Sequence, residues 1–337
     1  MAVDHERVAV RATLRFSHEV FMTQIVIATQ HDEEVNELLR QRLPEYTFVP
    51  IGTGTPDSIP AEATILLARP VFRAGSGEKP PRPEGWPFNL QWIHLSSSGI
   101  DTYPEWLFEV PQVTSARGTS AVAVAEFALA AILASAKRFP EVWISEATQW
   151  QRHSLQLVSG SVLGIVGFGA IGSALAIRAQ ALGVKVIATN HSGKPFYVPG
   201  VERAKTLQAL FAASDHVVVA APATEDTRHL INAELLSHAK PGLHLINIAR
   251  GSLVDEEALV AALDAGQLSR ATLDVAQREP SPADHPFYSH PKIRLSPHVS
   301  PATGDLWGNV IDQFVSNLLR FHKGEPLAEQ VDSKRGY

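Results

Sequence analysis

The sequence predicts an α/β protein of two domains built on parallel sheets, and three observations carry that expectation. Short runs of continuous Val, Ile and Leu, such as "HVVVA" (216–220) and "LHLINI" (243–248), alternate with helical stretches such as "DEEALVAALDAG" (255–266). That rhythm belongs to sheets covered by helices on both faces. The chain has 337 residues, 45 % hydrophobic and 19 % charged, enough for two cores at roughly 150 residues per domain. The rhythm also changes near residue 120: the part before it is interrupted by "GSGEKPPRPEGWP" (75–87), too rich in Gly and Pro for regular structure, whereas the part after it repeats its helix–strand step without a break.

The elements follow in order. "QIVIAT" (24–29) reads as a strand, and "DEEVNELLRQRL" (32–43) as a helix with acids first and arginines last, as the helix dipole favours. "ATILLA" (63–68) and "QWIHL" (91–95) are the next strands. "AVAVAEFALAAILASA" (121–136) is a buried or interface helix; Glu126 interrupts it and it falls short of the ~20 residues of a membrane span. Then come strand "SVLGIV" (161–166), helix "SALAIRAQALG" (173–183), strand "VKVIAT" (184–189), helix "TLQALFAAS" (206–214), strand "HVVVA", helix "NAELLSHAK" (232–240), strand "LHLINI", helix "DEEALVAALDAG", strand "RATLDV" (270–275) and a strand-like "IRL" (293–295). "PATGDLWGNVIDQFVSNLLRFHKG" (301–324) is a long amphipathic helix with no complete domain after it, which predicts that it packs back onto the first domain.

Composition excludes several functions. A formal net charge of −6 gives no electrostatic footprint for nucleic acid or an anionic membrane. With no cysteine, disulfides, thiolate metal sites and cysteine nucleophiles are all absent, and a cytoplasmic location is expected. No metal site is expected either. Residues 1–21 carry Arg7, Arg11 and Arg15, but Asp4, Glu6 and Glu19 and the missing apolar run favour an extension over a targeting peptide.

The stretch "GIVGFGAIG" (164–172) places Gly167, Gly169 and Gly172 in a G-x-G-x-x-G pattern. Alone the pattern is weak, but a strand precedes it and a helix and a second strand follow, the context of a dinucleotide-binding turn. Gly167 permits the tight turn, Gly169 lets the backbone approach a pyrophosphate, and Gly172 lets helix and strand pack closely. Phe168, Ala170 and Ile171 complete the cofactor-binding turn. The second strand ends in "TNHSGK" (189–194), so Asn190, His191 and Ser192 stand where an acidic residue would accept the ribose 2′-hydroxyl of NAD. Asn190 does not repel a 2′-phosphate, and Ser192 and Lys194 are donors, which favours NADP over NAD even though the usual arginine is missing from this stretch. The alternative is that Asn190 binds a ribose hydroxyl and both cofactors serve.

Downstream, "HLINIARGSLVDEEALVAALDAGQLSRATLDVAQREP" (244–280) and "RLSPHVSPAT" (294–303) complete a pattern that resembles the D-isomer-specific 2-hydroxyacid dehydrogenase family. The resemblance covers most of the chain and is faintest at the N-terminus. It implies two Rossmann-like or flavodoxin-like domains, a substrate domain of residues 1–120 and 299–337 and an inserted dinucleotide domain of residues 121–298. It places the substrate-binding arginine at Arg250 in "NIARG", the catalytic glutamate at Glu279 in "REP" and the acid/base histidine at His298 in "SPHVS". The aspartate near the nicotinamide falls on Asp274 in "LDV", and the loop that holds the substrate carboxylate on "SSSGID" (96–101), centred on Ser98 and Gly99. Further cofactor contacts fall on Ala221, Pro222, Thr227 and Ile248. Two positions depart from the family pattern: the missing acidic ribose residue, and Ala276 in place of an aromatic after "DV", which is expected to reshape the pocket rim.

The chemistry asks for these residue types independently. Reducing a 2-oxoacid needs a hydride at the carbonyl carbon and a proton at its oxygen. Histidine is a natural proton donor near neutral pH, and a carboxylate on its other ring nitrogen fixes the tautomer. A guanidinium grips a planar carboxylate with two parallel bonds. The sequence therefore predicts an NAD(P)H-dependent reductase of a small 2-oxoacid such as glyoxylate or hydroxypyruvate. The resemblance implies a homodimer through the cofactor domain, with helix 121–136 a candidate for the contact. Trp143 and Trp150 lie in the segment that in some relatives reaches a neighbouring subunit's site, and at least one of them is expected in a core. The rival reading is a dinucleotide-sensing, corepressor-like protein on the same fold; the intact set of Arg250, Glu279 and His298 favours the enzyme. A formate-type dehydrogenase is disfavoured because that branch carries glutamine where Glu279 stands. His285 and His290 read as loop residues.

Overall fold

Among the described residues two sheets, of five and seven strands, organise the protein, and every strand pairing in them is parallel. The computed structural model describes residues 25–72, 80–139, 141–191, 193 and 195–336. Residues 1–21, Ser192 and Lys194 lie outside the described residues.

In chain order the first sheet comprises β1 (Val26–Thr29), β2 (Thr47–Pro50), β3 (Ala63–Ala68), β4 (Trp92–Leu95) and β5 (Gln112–Ser115), arranged β2-β1-β3-β4-β5, with α1 (Glu33–Arg42) between β1 and β2. That is the 2-1-3-4-5 order of flavodoxin-like sheets. Asp32 caps α1 by accepting from the Val35 N–H at 3.2 Å, with Glu33 and Glu34 in the first turn and Arg40 and Arg42 in the last, so cap and dipole act together. α2 (Ala121–Ala136) then leads into the second sheet.

The second sheet contains β6 (Val162–Val166), β7 (Lys185–Thr189), β8 (Val201–Arg203), β9 (His216–Val219), β10 (Leu243–Asn247), β11 (Leu268–Leu273) and β12 (Ile293–Leu295). Its helices are α3 (Ala170–Ala181), α4 (Leu207–Ala213), α5 (Ala233–Ser237) and α6 (Glu256–Asp264). The order β12-β11-β10-β9-β6-β7-β8 is the Rossmann order read from its far edge, extended by one strand. The chain reverses direction across the sheet between β6 and β9, and ligands of such sheets bind beyond the strands' C-terminal ends at that point.

The cores follow from the sequence pattern. Every residue of β9 and β10 is buried, because helices cover both faces. α2 packs on α3 through small residues, Ala125 and Ala128 against Leu175, Ala176 and Ala179, which let two helix axes approach closely. α7 (Leu306–His322) returns to the first sheet as expected: Ile311, Phe314 and Leu318 pack with Ile27 and Trp92, and the Phe314 and Trp92 rings stack at 5.1 Å. It begins at Leu306 rather than 301, because residues 301–305, which include Pro301 and Gly304, form turns.

Three strands escape the sequence reading. β2, β5 and β8 ("TFVP", "QVTS", "VER") are three or four residues long with polar or proline positions, too short for a hydrophobic period to emerge. The expectation for the tryptophans is corrected outright: Trp143 is 70 % exposed and Trp150 83 %. Between α2 and β6 the described residues of their segment hold only a short 3₁₀ turn (Ala147–Gln149), which offers no sheet or helix face to bury them against. No helix among the described residues is long and apolar enough to cross a membrane.

Candidate active site

The glycine turn sits between β6 and α3. Gly167 has φ +96°, and a Cβ there would lie 2.5 Å from the Ala221 backbone nitrogen, so only glycine allows the end of β6 to pass the end of β9. A Cβ on Gly172 would meet the Gly167 carbonyl at 3.0 Å and Ile165 at 3.2 Å, which fixes α3 tightly against its strand. A Cβ on Gly169, in contrast, would meet nothing within 4 Å. The turn is therefore closed behind and open in front, with the first N–H groups of α3 (around Ala170 and Ile171) at the open side. A pyrophosphate fits such a helix N-terminus.

The other predicted cofactor residues line the same edge. Ala221 is buried just beyond β9, and Pro222 accepts at its carbonyl from the Thr227 hydroxyl at 2.8 Å, within a turn that Thr224 and Thr227 cap reciprocally. Ile248 follows β10 and is 6 % exposed. Asn190 follows β7 and His191 is exposed beyond it. Arg203 of β8 reaches the same point: its Nη1 donates to Asn190 Oδ1 at 2.7 Å, and its guanidinium lies 4.1 Å over the Phe196 ring. Phe196 in turn packs on Phe168 of the glycine turn at 4.5 Å. Only the parallel register of β7 and β8, Ala188 opposite Arg203, brings these residues together.

The predicted reacting groups follow three neighbouring strands of one sheet: Arg250 after β10, Asp274 and Glu279 after β11, His298 after β12. Adjacent strands lie about 4.8 Å apart, so the three strand ends converge within some 10 Å. His298 Nδ1 and Glu279 Oε2 are 2.9 Å apart, and Glu279 Oε1 is held by the Ala276 N–H at 3.2 Å. With Nδ1 given to the carboxylate, Nε2 is the nitrogen left to meet a substrate.

His298 has φ +54°, an unusual backbone for a non-glycine residue, and Asp274 holds it. The Asp274 carbonyl accepts from the His298 N–H at 2.8 Å. Its carboxylate accepts from the N–H groups of Val299 (2.9 Å) and Ser300 (2.8 Å) and from the Ser296 hydroxyl (2.6 Å). Asp274 is 1 % exposed, so both of its oxygens are engaged within the protein.

Arg250 points away from its own sheet, toward the loop after β4. Its Nε donates to Asp101 Oδ2 at 2.9 Å and Oδ1 at 3.2 Å, and Nη1 to its own neighbour's carbonyl, Ala249, at 2.9 Å. Nη2 faces Gly99: a Cβ there would collide with Nη2 and lie 2.6 Å from Asp101 Oδ1. Ser98 in the same loop anchors it by donating to the Ala116 carbonyl at 3.2 Å. The predicted carboxylate loop and the predicted arginine thus meet across the space between the sheets. Asp101 was not singled out by the sequence reading, although it stands two residues after Gly99 in the quoted motif.

Ala276 is buried, its backbone packed against Gly251 beside Arg250, so it belongs to the wall of the site and not to its rim. His285 and His290 pair with Glu256 (3.2 Å) and Asp264 (3.1 Å). Among the described residues no three His, Asp or Glu side chains gather as metal ligands.

Comparison with known proteins gives the family. The family model for the NAD binding domain of D-isomer specific 2-hydroxyacid dehydrogenases matches residues 129–300. The chain is 34 % identical over 216 residues to glyoxylate/hydroxypyruvate reductase A of Serratia proteamaculans, covering 63 % of this chain and 68 % of that protein. It is also 34 % identical over 230 residues to D-3-phosphoglycerate dehydrogenase of Bacillus subtilis, covering 65 % of this chain but only 42 % of that longer protein. Among solved structures, a D-isomer specific 2-hydroxyacid dehydrogenase from Xanthobacter autotrophicus Py2, in complex with NADPH and MES, superposes with a TM-score of 0.80 at 27 % identity, covering 94 % of this chain and all of that one.

Proposed function

Because the chain belongs to the D-isomer-specific 2-hydroxyacid dehydrogenase family, we propose that it reduces a small 2-oxoacid to the D-2-hydroxyacid, with NADPH favoured over NADH. The bound dinucleotide supplies the hydride for the carbonyl carbon. The chain's own residues do the rest. Arg250 and the backbone of Ser98 and Gly99 grip the substrate carboxylate and orient the carbonyl. His298 Nε2 delivers the proton to the carbonyl oxygen and takes it back in the reverse direction. Glu279 holds the imidazole by Nδ1 and compensates its charge. Asp274 would stand near the nicotinamide of a bound dinucleotide, and it acts through the 296–300 backbone that it fixes.

The observation that carries this reading is the 2.9 Å contact of His298 with Glu279 at the C-terminal edge of the sheet whose glycine turn binds dinucleotides. In this reading residues 121–298 form the cofactor domain, and residues 1–120 and 299–337 the substrate domain. The reaction takes place between them, with closure excluding water. Glyoxylate and hydroxypyruvate are the first candidate substrates, supported by the reductase named above. A cytoplasmic homodimer completes the proposal. Val122 of α2 and the following segment expose a run of large apolar side chains, among them Trp143, Trp150 and Leu157 (79 % exposed), which suits a second copy of the chain.

Steady-state rates with glyoxylate, hydroxypyruvate, pyruvate and phenylpyruvate, each with NADPH and NADH, test the proposal. Turnover with at least one pair is expected; no oxidation of either cofactor by any of the four defeats it. Sedimentation of the wild type beside a Trp143→Ser/Trp150→Ser variant tests the dimer, which is expected to weaken in the variant.

A further inference from the structure

We infer that Arg203, on the edge strand β8, is the residue that selects for the adenosine 2′-phosphate. The inference rests on the dinucleotide reading of the glycine turn and assigns its specificity to a residue outside the local motif.

The argument begins at the end of β7, where an acidic side chain would accept the ribose 2′-hydroxyl and repel a phosphate there. This chain has Asn190 at that point, and the charge nearest to it is positive: Arg203 Nη1 donates to Asn190 Oδ1 at 2.7 Å. β8 is three residues long and sits at the sheet's edge, so a long side chain at its last position reaches past the end of β7.

Arg203 is also held in plane. Its Cζ lies 4.1 Å over the Phe196 ring, and Phe196 packs on Phe168, which stands in the glycine turn itself. The row Phe168–Phe196–Arg203 thus runs from the pyrophosphate turn to the ribose position. Stacking on an aromatic face holds the guanidinium plane and its charge beside the ribose position, and a guanidinium suits phosphate oxygens in charge and shape. Lysine lacks the plane, and a neutral residue lacks the charge.

The test uses two nicotinamide-free probes, 2′,5′-ADP and 5′-AMP, measured by calorimetry on the full chain, with NADPH and NADH titrated by fluorescence. The wild type is expected to bind 2′,5′-ADP at least ten times more tightly than 5′-AMP, with the ratio falling as salt is raised. Arg203→Ala is expected to weaken 2′,5′-ADP and NADPH by about 10- to 100-fold, the range of one charge-assisted phosphate contact, while leaving 5′-AMP and NADH unchanged. Arg203→Lys is expected to fall between, and it keeps the test informative if the alanine variant folds poorly. Equal binding of the two probes by the wild type, or equal loss of both in the variants, overturns the inference. If the wild type binds neither probe nor either dinucleotide, the cofactor reading fails first and takes this assignment with it.

Discussion

Arg250 Nε bonds both oxygens of Asp101, at 2.9 and 3.2 Å, and so ties the loop after β10 of one sheet to the loop after β4 of the other. Together with the Ala249 carbonyl, Asp101 fixes two edges of the guanidinium and leaves Nη2 turned to Gly99. The aim of the arginine is thereby set from the opposite side of the cleft. Asp101→Ala is expected to lower kcat/KM for the 2-oxoacid by about 10- to 100-fold, the cost of losing orientation at a binding group. NADPH affinity is expected to stay within twofold. Unchanged kcat/KM would show that Arg250 holds its own position.

Removing the proposed proton donor is expected to act on kcat. His298→Gln should lower kcat by about 10²- to 10⁴-fold, with dinucleotide binding intact by fluorescence titration. Glu279→Gln keeps a hydrogen-bond acceptor 2.9 Å from the ring but removes the charge, so its loss is expected to be smaller than that of His298→Gln. A Glu279→Gln variant as active as the wild type would remove the carboxylate from the mechanism.

The three glycines of the turn are expected to separate stability from binding. Gly167→Ala puts a methyl group 2.5 Å from the Ala221 nitrogen at φ +96°, and is expected to lower unfolding free energy by roughly 3 kcal/mol in urea titrations. Gly169→Ala points its methyl into open space. It is expected to melt with the wild type yet bind NADPH more than tenfold more weakly, because the methyl occupies the pyrophosphate's side of the turn. Unimpaired NADPH binding by Gly169→Ala would contradict the placement of the pyrophosphate.

Two buried histidines of the first sheet make stability depend on pH. His31 is 5 % exposed and neither ring nitrogen has a partner among the described residues; burial, reinforced by Arg69 and opposed by Asp32, lowers its pKa from 6.5 to about 4. His94, fully buried beside β5 with Nδ1 on the Thr114 hydroxyl at 2.8 Å, is lowered to about 3 by burial and by His31. Both stay neutral in the folded protein while the unfolded chain takes up protons near pH 6.5. Between pH 6.5 and about 4 the unfolded state therefore binds more protons, and stability falls as pH falls. His31 alone is expected to cost about 2 kcal/mol by pH 5 relative to pH 7.5. Urea midpoints of the wild type should fall across that interval, and those of His31→Leu should fall less; parallel slopes would remove His31 as a cause.

What the sequence reveals of this site depends on whether a residue's role is set locally. Gly167 and Gly172 are legible because the positive-φ turn and the strand–helix contact that need them lie within the motif, although the backbone that closes on Gly167 comes from Ala221. His298, Glu279 and Arg250 are legible because each follows its strand in a recognisable motif. Asp101 is hidden because its partner stands 149 residues away on the other sheet. Arg203 is hidden because "VER" gives no strand signal, and its position beside Asn190 depends on the pairing of β8 with β7. The tryptophans mislead for the opposite reason: large apolar side chains imply burial, and the segment carrying them offers nothing to bury them against.

Asp274 has a mechanical consequence. Its carbonyl and carboxylate anchor the chain from Ser296 to Ser300, and residues 301–305 then lead away to α7 on the first sheet. Any pivot between the sheets along this strand of backbone must fall beyond Ser300. In the proposed closure the imidazole therefore travels with Glu279, and the bending falls downstream of Ser300, where no reacting group is carried.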